Sequence, residues 1–297
     1  MAARQIVASL ILAIVFQYHL VTAQICTDFV ESTTCGGNIV ADSGIIRYNH
    51  TEYGNNTGCM WLIRSNINSK IEVRLLEDSF SSSSQYIHIY GLSFDGEISG
   101  NADSDIRHGE FKARHFNGPL ILVTFSTLDY WGPVNPTPSF TLFFRGCGPD
   151  ISNPPTFTHH YREKIPGETE IVSYPEDGGV YPNNQLITYL GLRQDRAVAK
   201  NSEGEWKVKV TYQDIQPSAY CMFGDSLRFY SAGFNFLCAV DEQDEFIWRF
   251  CERNSTKTHV LPKRSQKYGN TYPDNIAILA VFQSNGYQGG KGFVFEW

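Results

Sequence analysis

A serine hydroxyl can act as a nucleophile once a base activates it, and the block Phe223-Gly224-Asp225-Ser226-Leu227 holds one such candidate at Ser226. Such a serine needs a general base placed to take its proton, and the base needs its own orienting group. Only His259 follows the block as a histidine. No His-Glu-x-x-His zinc motif, phosphate-binding glycine loop or Cys-x-x-Cys pair occurs. His159-His160 is the only adjacent histidine pair. Neighbouring side chains diverge, so in a Pro-rich stretch these two read as solvated loop rather than metal ligands. Tyr130-Trp131-Gly132-Pro133 sits in a turn-rich loop after a strand. Tyr130 and Trp131 are therefore candidate partner contacts, with packing beneath the loop as the competing role. Lys263-Arg264 reads as a polar loop tip in preference to a processing site.

The compartment follows from the start of the chain and its sulfur. Arg4 precedes an apolar run from Ile6 to Phe16, and Val21-Thr22-Ala23 places small or modest residues ahead of Gln24. That pattern predicts a signal peptide over residues 1–23, too short in its apolar part to span a bilayer. No later run is long and apolar enough to do so, and the ending Gly292-Phe293-Val294-Phe295-Glu296-Trp297 reads as a strand, not a lipid-anchor signal. All seven cysteines lie beyond Ala23, where oxidation is permitted. Seven is odd, so one thiol is left free or joins another chain. The triplets at Asn49, Asn55 and Asn254 are glycosylation sequons and predict exposed loops. A net charge of −7 with no Lys/Arg run argues against nucleic-acid and anionic-membrane partners.

The elements are short strands. Ile71-Glu72-Val73-Arg74-Leu75 and Trp206 to Tyr212 alternate apolar with polar residues, as half-buried strands do. Leu120 to Phe125 and Ile276 to Phe282 are unbroken apolar runs, which predict strands buried on both faces. No amphipathic helix is evident. The fold class expected is all-β, two antiparallel β-sandwiches of jelly-roll type. The prolines of Gly148-Pro149, Asn153-Pro154-Pro155 and Pro166-Gly167 exclude a sheet interior, which predicts a linker at 148–167 between domains at 24–147 and 168–297. The halves repeat an order of events, from a Tyr/Asn-rich loop (Tyr53 to Cys59; Tyr181 to Gln185) to an aromatic closing strand (Phe140 to Phe144; Phe293 to Phe295). That is an internal duplication.

Several motifs resemble the CUB family. The first half carries Cys35-Gly36-Gly37, Gly44-Ile45-Ile46 and Cys59-Met60-Trp61-Leu62-Ile63. The second carries Tyr181-Pro182-Asn183-Asn184, Cys221 ahead of Asp225-Ser226-Leu227, Phe250-Cys251, Phe282-Gln283-Ser284-Asn285 and Gly292-Phe293. The resemblance implies a disulfide between Cys35 and Cys59 in the first module and one between Cys221 and Cys251 in the second, where Ile187 and Tyr189 replace the early Cys and Trp. Cys26 and Cys147 bracket the first module and are paired by default, which leaves Cys238 over. Pairing of Cys221 with Cys238 stays open. The family's calcium site would fall on Gln216, Asp225 and Asn285, with one carboxylate where three are usual; Glu77 or Asp78 and Asp129 are the first-half counterparts. The alternative is that these are solvated loop residues. The block at Ser226 is also similar to that of GDSL-type esterases, but there it lies near the mature N-terminus and an Asp-x-x-His follows; here Thr256 stands three before His259.

The resemblance implies a secreted, non-catalytic protein that recognises protein or glycan partners through sandwich loops, without cofactor unless calcium binds. The alternatives are a matrix or mucus component cross-linked through the odd cysteine as a disulfide-linked oligomer, and an esterase using Ser226.

Overall fold

The computed structural model of the chain describes residues 28–49, 57–65, 70–80, 85–93, 98–104, 113–127, 139–146, 155–165, 167–194, 208–216, 224–232, 248–253, 255–256, 259–260, 277–285 and 289–297. Among them there is no helix. The first half contains β1 (Phe29–Ser32), β2 (Gly37–Val40), β3 (Ser43–Asn49), β4 (Gly58–Arg64) and β5 (Ile71–Asp78). It continues with β6 (Gln85–Leu92), β7 (Ile98–Ser104), β8 (Arg114–Phe116), β9 (Leu120–Thr127) and β10 (Ser139–Arg145). The second half contains β11 (Thr156–Lys164), β12 (Ile171–Tyr174), β13 (Gln185–Arg193), β14 (Lys209–Asp214) and β15 (Ser226–Ala232). Its last strands are β16 (Trp248–Phe250), β17 (His259–Val260), β18 (Ala277–Gln283) and β19 (Gly292–Glu296).

Each half folds into two sheets. The first has β1-β3-β10-β5-β8 against β2-β4-β9-β6-β7; the second has β12-β19-β14-β17 against β11-β13-β18-β15-β16. Strand for strand the orders correspond, apart from one extra edge strand, β1. In both halves the pairs are antiparallel except at sheet edges, where β1 on β3, β2 on β4 and β11 on β13 run parallel. The all-β double sandwich expected from the periodicity is the fold observed.

Alternation along each strand decides where the cores lie. Cys59, Trp61 and Ile63 of β4 join Ile121, Val123 and Phe125 of β9 inside the first sandwich. Ile187 and Tyr189 of β13 join Ile278, Ala280 and Phe282 of β18 inside the second. The intervening residues form a third apolar cluster that draws on both halves: Met60, Leu62, Leu120 and Leu122 meet Leu186, Leu190, Leu192, Leu279 and Val281. The two sandwiches therefore pack face to face. This explains why β9 and β18 read as unbroken apolar runs, since each has a core on either side.

The expected linker needs correcting. Residues 156–164, inside the 148–167 segment, form β11, hydrogen-bonded along its whole length to β13. The proline rule still holds, because β11 is an edge strand and the prolines fall outside it at Pro154, Pro155 and Pro166. His159 and His160 accordingly are not solvated loop residues. Both are partly buried on β11, His159 bonding Thr188 Oγ1 through Nδ1 at 2.7 Å and His160 stacking on Tyr189 at 4.5 Å.

Candidate functional site

At one end of the second sandwich the connections β12–β13, β14–β15 and β18–β19 come together. Pro182 follows Tyr181, Asn184 takes the left-handed conformation that asparagine tolerates (φ 54°), and β13 begins at Gln185. This turn aims Tyr181 inward. Its hydroxyl donates to Asp225 Oδ2 at 2.5 Å and accepts the Gln216 backbone N–H at 3.0 Å. The other carboxylate oxygen of Asp225 accepts the Asn285 N–H at 2.7 Å. Ser284 Oγ donates to Pro182 O and accepts the Gln185 N–H, both at 2.9 Å, while Asp214 Oδ2 accepts the Lys291 N–H at 3.0 Å. Three loops are thus held by one buried hydrogen-bonded network.

The CUB resemblance groups Gln216, Asp225 and Asn285, and hydrogen bonds through Tyr181 and Asp225 join all three. The agent is Tyr181, whose motif was visible but whose role was not. A tyrosine beside a proline in a turn, opposite a lone acidic residue ahead of a strand, is the signal that identifies it. The reading of Asp225 as a solvated loop residue is wrong: it is 0% exposed. Burial pushes its carboxyl pKa up, while the Asn285 amide and the Tyr181 hydroxyl pull it partly back. Burial, then the bond to Asp225, raises the Tyr181 phenol too.

As placed, Gln216, Asp225 and Asn285 offer calcium little charge. Calcium takes six to eight oxygen ligands, and carboxylate charge sets its affinity. Here one carboxylate is present, buried, with both oxygens already accepting hydrogen bonds. Gln216 Oε1, buried and without a hydrogen-bond partner, is a single neutral donor beside it. In the first sandwich Glu77 is exposed, and Asp78 accepts the Phe80 N–H at 3.4 Å through Oδ1; Asp129 lies outside the described residues.

Ser226, on β15, is 0% exposed, and among the described residues its Oγ has no hydrogen-bond partner and no base aligned on it. His259 falls on β17, in the opposite sheet of that sandwich.

Cys35 and Cys59 form a disulfide, joining the segment before β2 to β4. Trp61 Nε1–H donates to Thr34 O at 2.9 Å on the same segment. Cys251 is disulfide-bonded. Its partner, like Cys26, Cys147, Cys221 and Cys238, lies outside the described residues, as do Tyr130, Trp131, Asn55, Asn254 and residues 1–27. Asn49 is exposed at the end of β3. No helix among the described residues is long and apolar enough to cross a membrane.

No family model and no curated protein matches this chain. Among solved structures it is similar to the CUB1-EGF-CUB2 domains of rat MASP-1, at 12% identity and TM-score 0.30, over 88% of this chain and 99% of that one. The CUB1-EGF-CUB2 domain of human MASP-1/3 matches at 11% identity and TM-score 0.28, over 86% and 98%. The full extracellular region of zebrafish Gpr126/Adgrg6 matches at 10% identity and TM-score 0.27, over 89% of this chain and 37% of that one. The fold itself rests on this chain's own strand pairing: two stacked all-β sandwiches.

Proposed function

We propose that this chain is an exported, non-catalytic recognition protein that binds a protein or glycan partner through loops at the sandwich ends. The observation that carries the reading is the Tyr181–Asp225 network. It fixes three loops on a sheet stack, the arrangement in which loops carry binding, and its buried carboxylates, Asp214 and Asp225, are both engaged by hydrogen bonds within it. The buried Ser226, without an aligned base, supports a binding role over an esterase. The leader pattern, the Cys35–Cys59 disulfide and the exposed Asn49 sequon all favour export and glycosylation.

Three experiments test this. Purified protein immobilised and exposed to extracellular fluid should retain a partner equally with calcium or with a chelator. Retention of none in either condition contradicts the reading. Generic ester hydrolysis that disappears in Ser226→Ala would replace it with the esterase. Glycosidase treatment should sharpen and lower the mass of the secreted protein, and Asn49→Gln should remove one glycan's worth of it.

A further inference from the structure

The strand registers align the two halves residue by residue. Cys59 pairs with Phe125 as Ile187 pairs with Phe282, and Gly37 pairs with Trp61 as His160 pairs with Tyr189. By the same count Gly36 corresponds to His159, Leu62 to Leu190 and Arg64 to Leu192.

The contacts between the sandwiches obey that correspondence in both directions. Gly36, at φ 102° and lying against the Met60 backbone, abuts Leu192: a Cβ there would collide with Leu192 Cδ2. Its counterpart His159 lies near Arg64, the counterpart of Leu192, whose charge helps hold the imidazole pKa down at about 4 after burial has done most of it. The Arg64 guanidinium also sits 4.7 Å over the Phe157 ring. Element contacts follow suit, β2 against β11 and β4 against β13, each strand on its own equivalent. When residue i touches j′ and j touches i′, the interface is isologous, as in a two-fold dimer.

Direction follows as well. Gly36 is level with the early part of β4 yet meets the end of β13, while His159 is level with Thr188 in β13 yet meets the end of β4. Strands β4 and β13 therefore run in opposite directions across the interface, and the crossing point falls at Leu62 and Leu190, both buried in the shared cluster.

We infer that the two modules are paired as the subunits of a two-fold homodimer are, fused into one chain, so that equivalent strand ends point in opposite directions. The bivalent consequence rests on the recognition reading above: one molecule presents two related binding ends to two partners and bridges them. The paired faces themselves are unavailable to any third protein.

The test uses the full exported chain carrying Leu62→Cys and Leu190→Cys. After mild oxidation, peptide mapping should recover residues 62 and 190 joined as the dominant new cross-link. A folded double variant in which both new thiols stay free, or join elsewhere, overturns the pairing. Should the variant fail to fold, small-angle scattering of the deglycosylated wild-type chain decides. A single packed body of this length has a radius of gyration of about 19 Å, and a value above roughly 23 Å would mean separated modules. Neither measurement reads partner binding, so a failure of recognition leaves the pairing intact and the converse.

Discussion

The two sandwiches solve the same problem, anchoring an edge strand to the core sheet, by different chemistry. In the first, β2 pairs with β4 over only Gly37 to Val40, and a covalent bond between Cys35 and Cys59 secures the segment ahead of it. In the second, Ile187 stands where Cys59 does. There β11 runs along all of β13 from Thr156 to Lys164, and His160 stacks on Tyr189, the counterpart of Trp61. A short ladder needs a staple, whereas a long one holds itself. The second sandwich also ties its loops with the Tyr181–Asp225 hydrogen bond, beside the disulfide at Cys251. The duplication thus kept topology while exchanging the bonds that enforce it.

Breaking the first sandwich's device should have the larger effect. The Cys35–Cys59 bridge closes a loop of sequence separation 24. Cys35→Ala with Cys59→Ala is expected to cost about 3 kcal/mol in denaturant unfolding. Hydrogen exchange should show β2 losing protection first, while β11 keeps its own. Equal loss in both edge strands would erase the contrast drawn here.

The second sandwich's lock comes next. Asp225→Ala strands the Tyr181 hydroxyl and the Asn285 N–H in the interior, a loss of about 2 kcal/mol. Tyr181→Phe keeps the ring and removes the bridge, and should cost about 1 kcal/mol. Both should raise exchange at Gln216 and Asn285, and added calcium should restore neither variant nor stabilise the wild type. A calcium-dependent rise in the wild type's melting temperature would restore the metal reading.

The smallest effect is on pH dependence, and the two groups act with opposite signs. The His159 pKa is depressed to about 4 by burial, with Arg64 and His160 adding to it, so between about 4 and its ordinary 6.5 the unfolded chain binds more protons than the folded one. Its contribution to stability is present above 6.5 and is lost as pH falls toward 4. The Asp225 pKa is raised, so there the folded state holds the extra proton, and stability falls as pH climbs from about 3.8. His159→Gln should flatten the first slope, and Asp225→Asn the second, in melting curves recorded across pH. If His159→Gln leaves the slope between 4 and 6.5 unchanged, the histidine is not buried as described.

Much of this was legible in the residues because sheet periodicity is local. Ile71, Val73 and the apolar runs at Leu120 and Ala277 declare strands without help from the rest of the chain. The β11 strand was not legible. Thr156-Phe157-Thr158 and Tyr161 have strand character, but the flanking prolines dominate a local reading, and only the long-range partner β13 reveals an edge strand between them. The inter-sandwich face was half visible. Continuous burial of Leu120 to Phe125 predicted a second neighbour, though not that the neighbour is the other half of the same chain. At the candidate site, the CUB resemblance named Gln216, Asp225 and Asn285, whereas the tyrosine that joins them lies more than thirty residues upstream of Gln216, a distance that no local pattern spans.

The most direct test of the whole account is a disulfide map of the protein collected from the medium of cells that express the full chain. The expected result is export without residues 1–23, with Cys35 joined to Cys59 and Cys251 bridged. Retention inside the cell with Cys35 and Cys59 recovered as free thiols would contradict it.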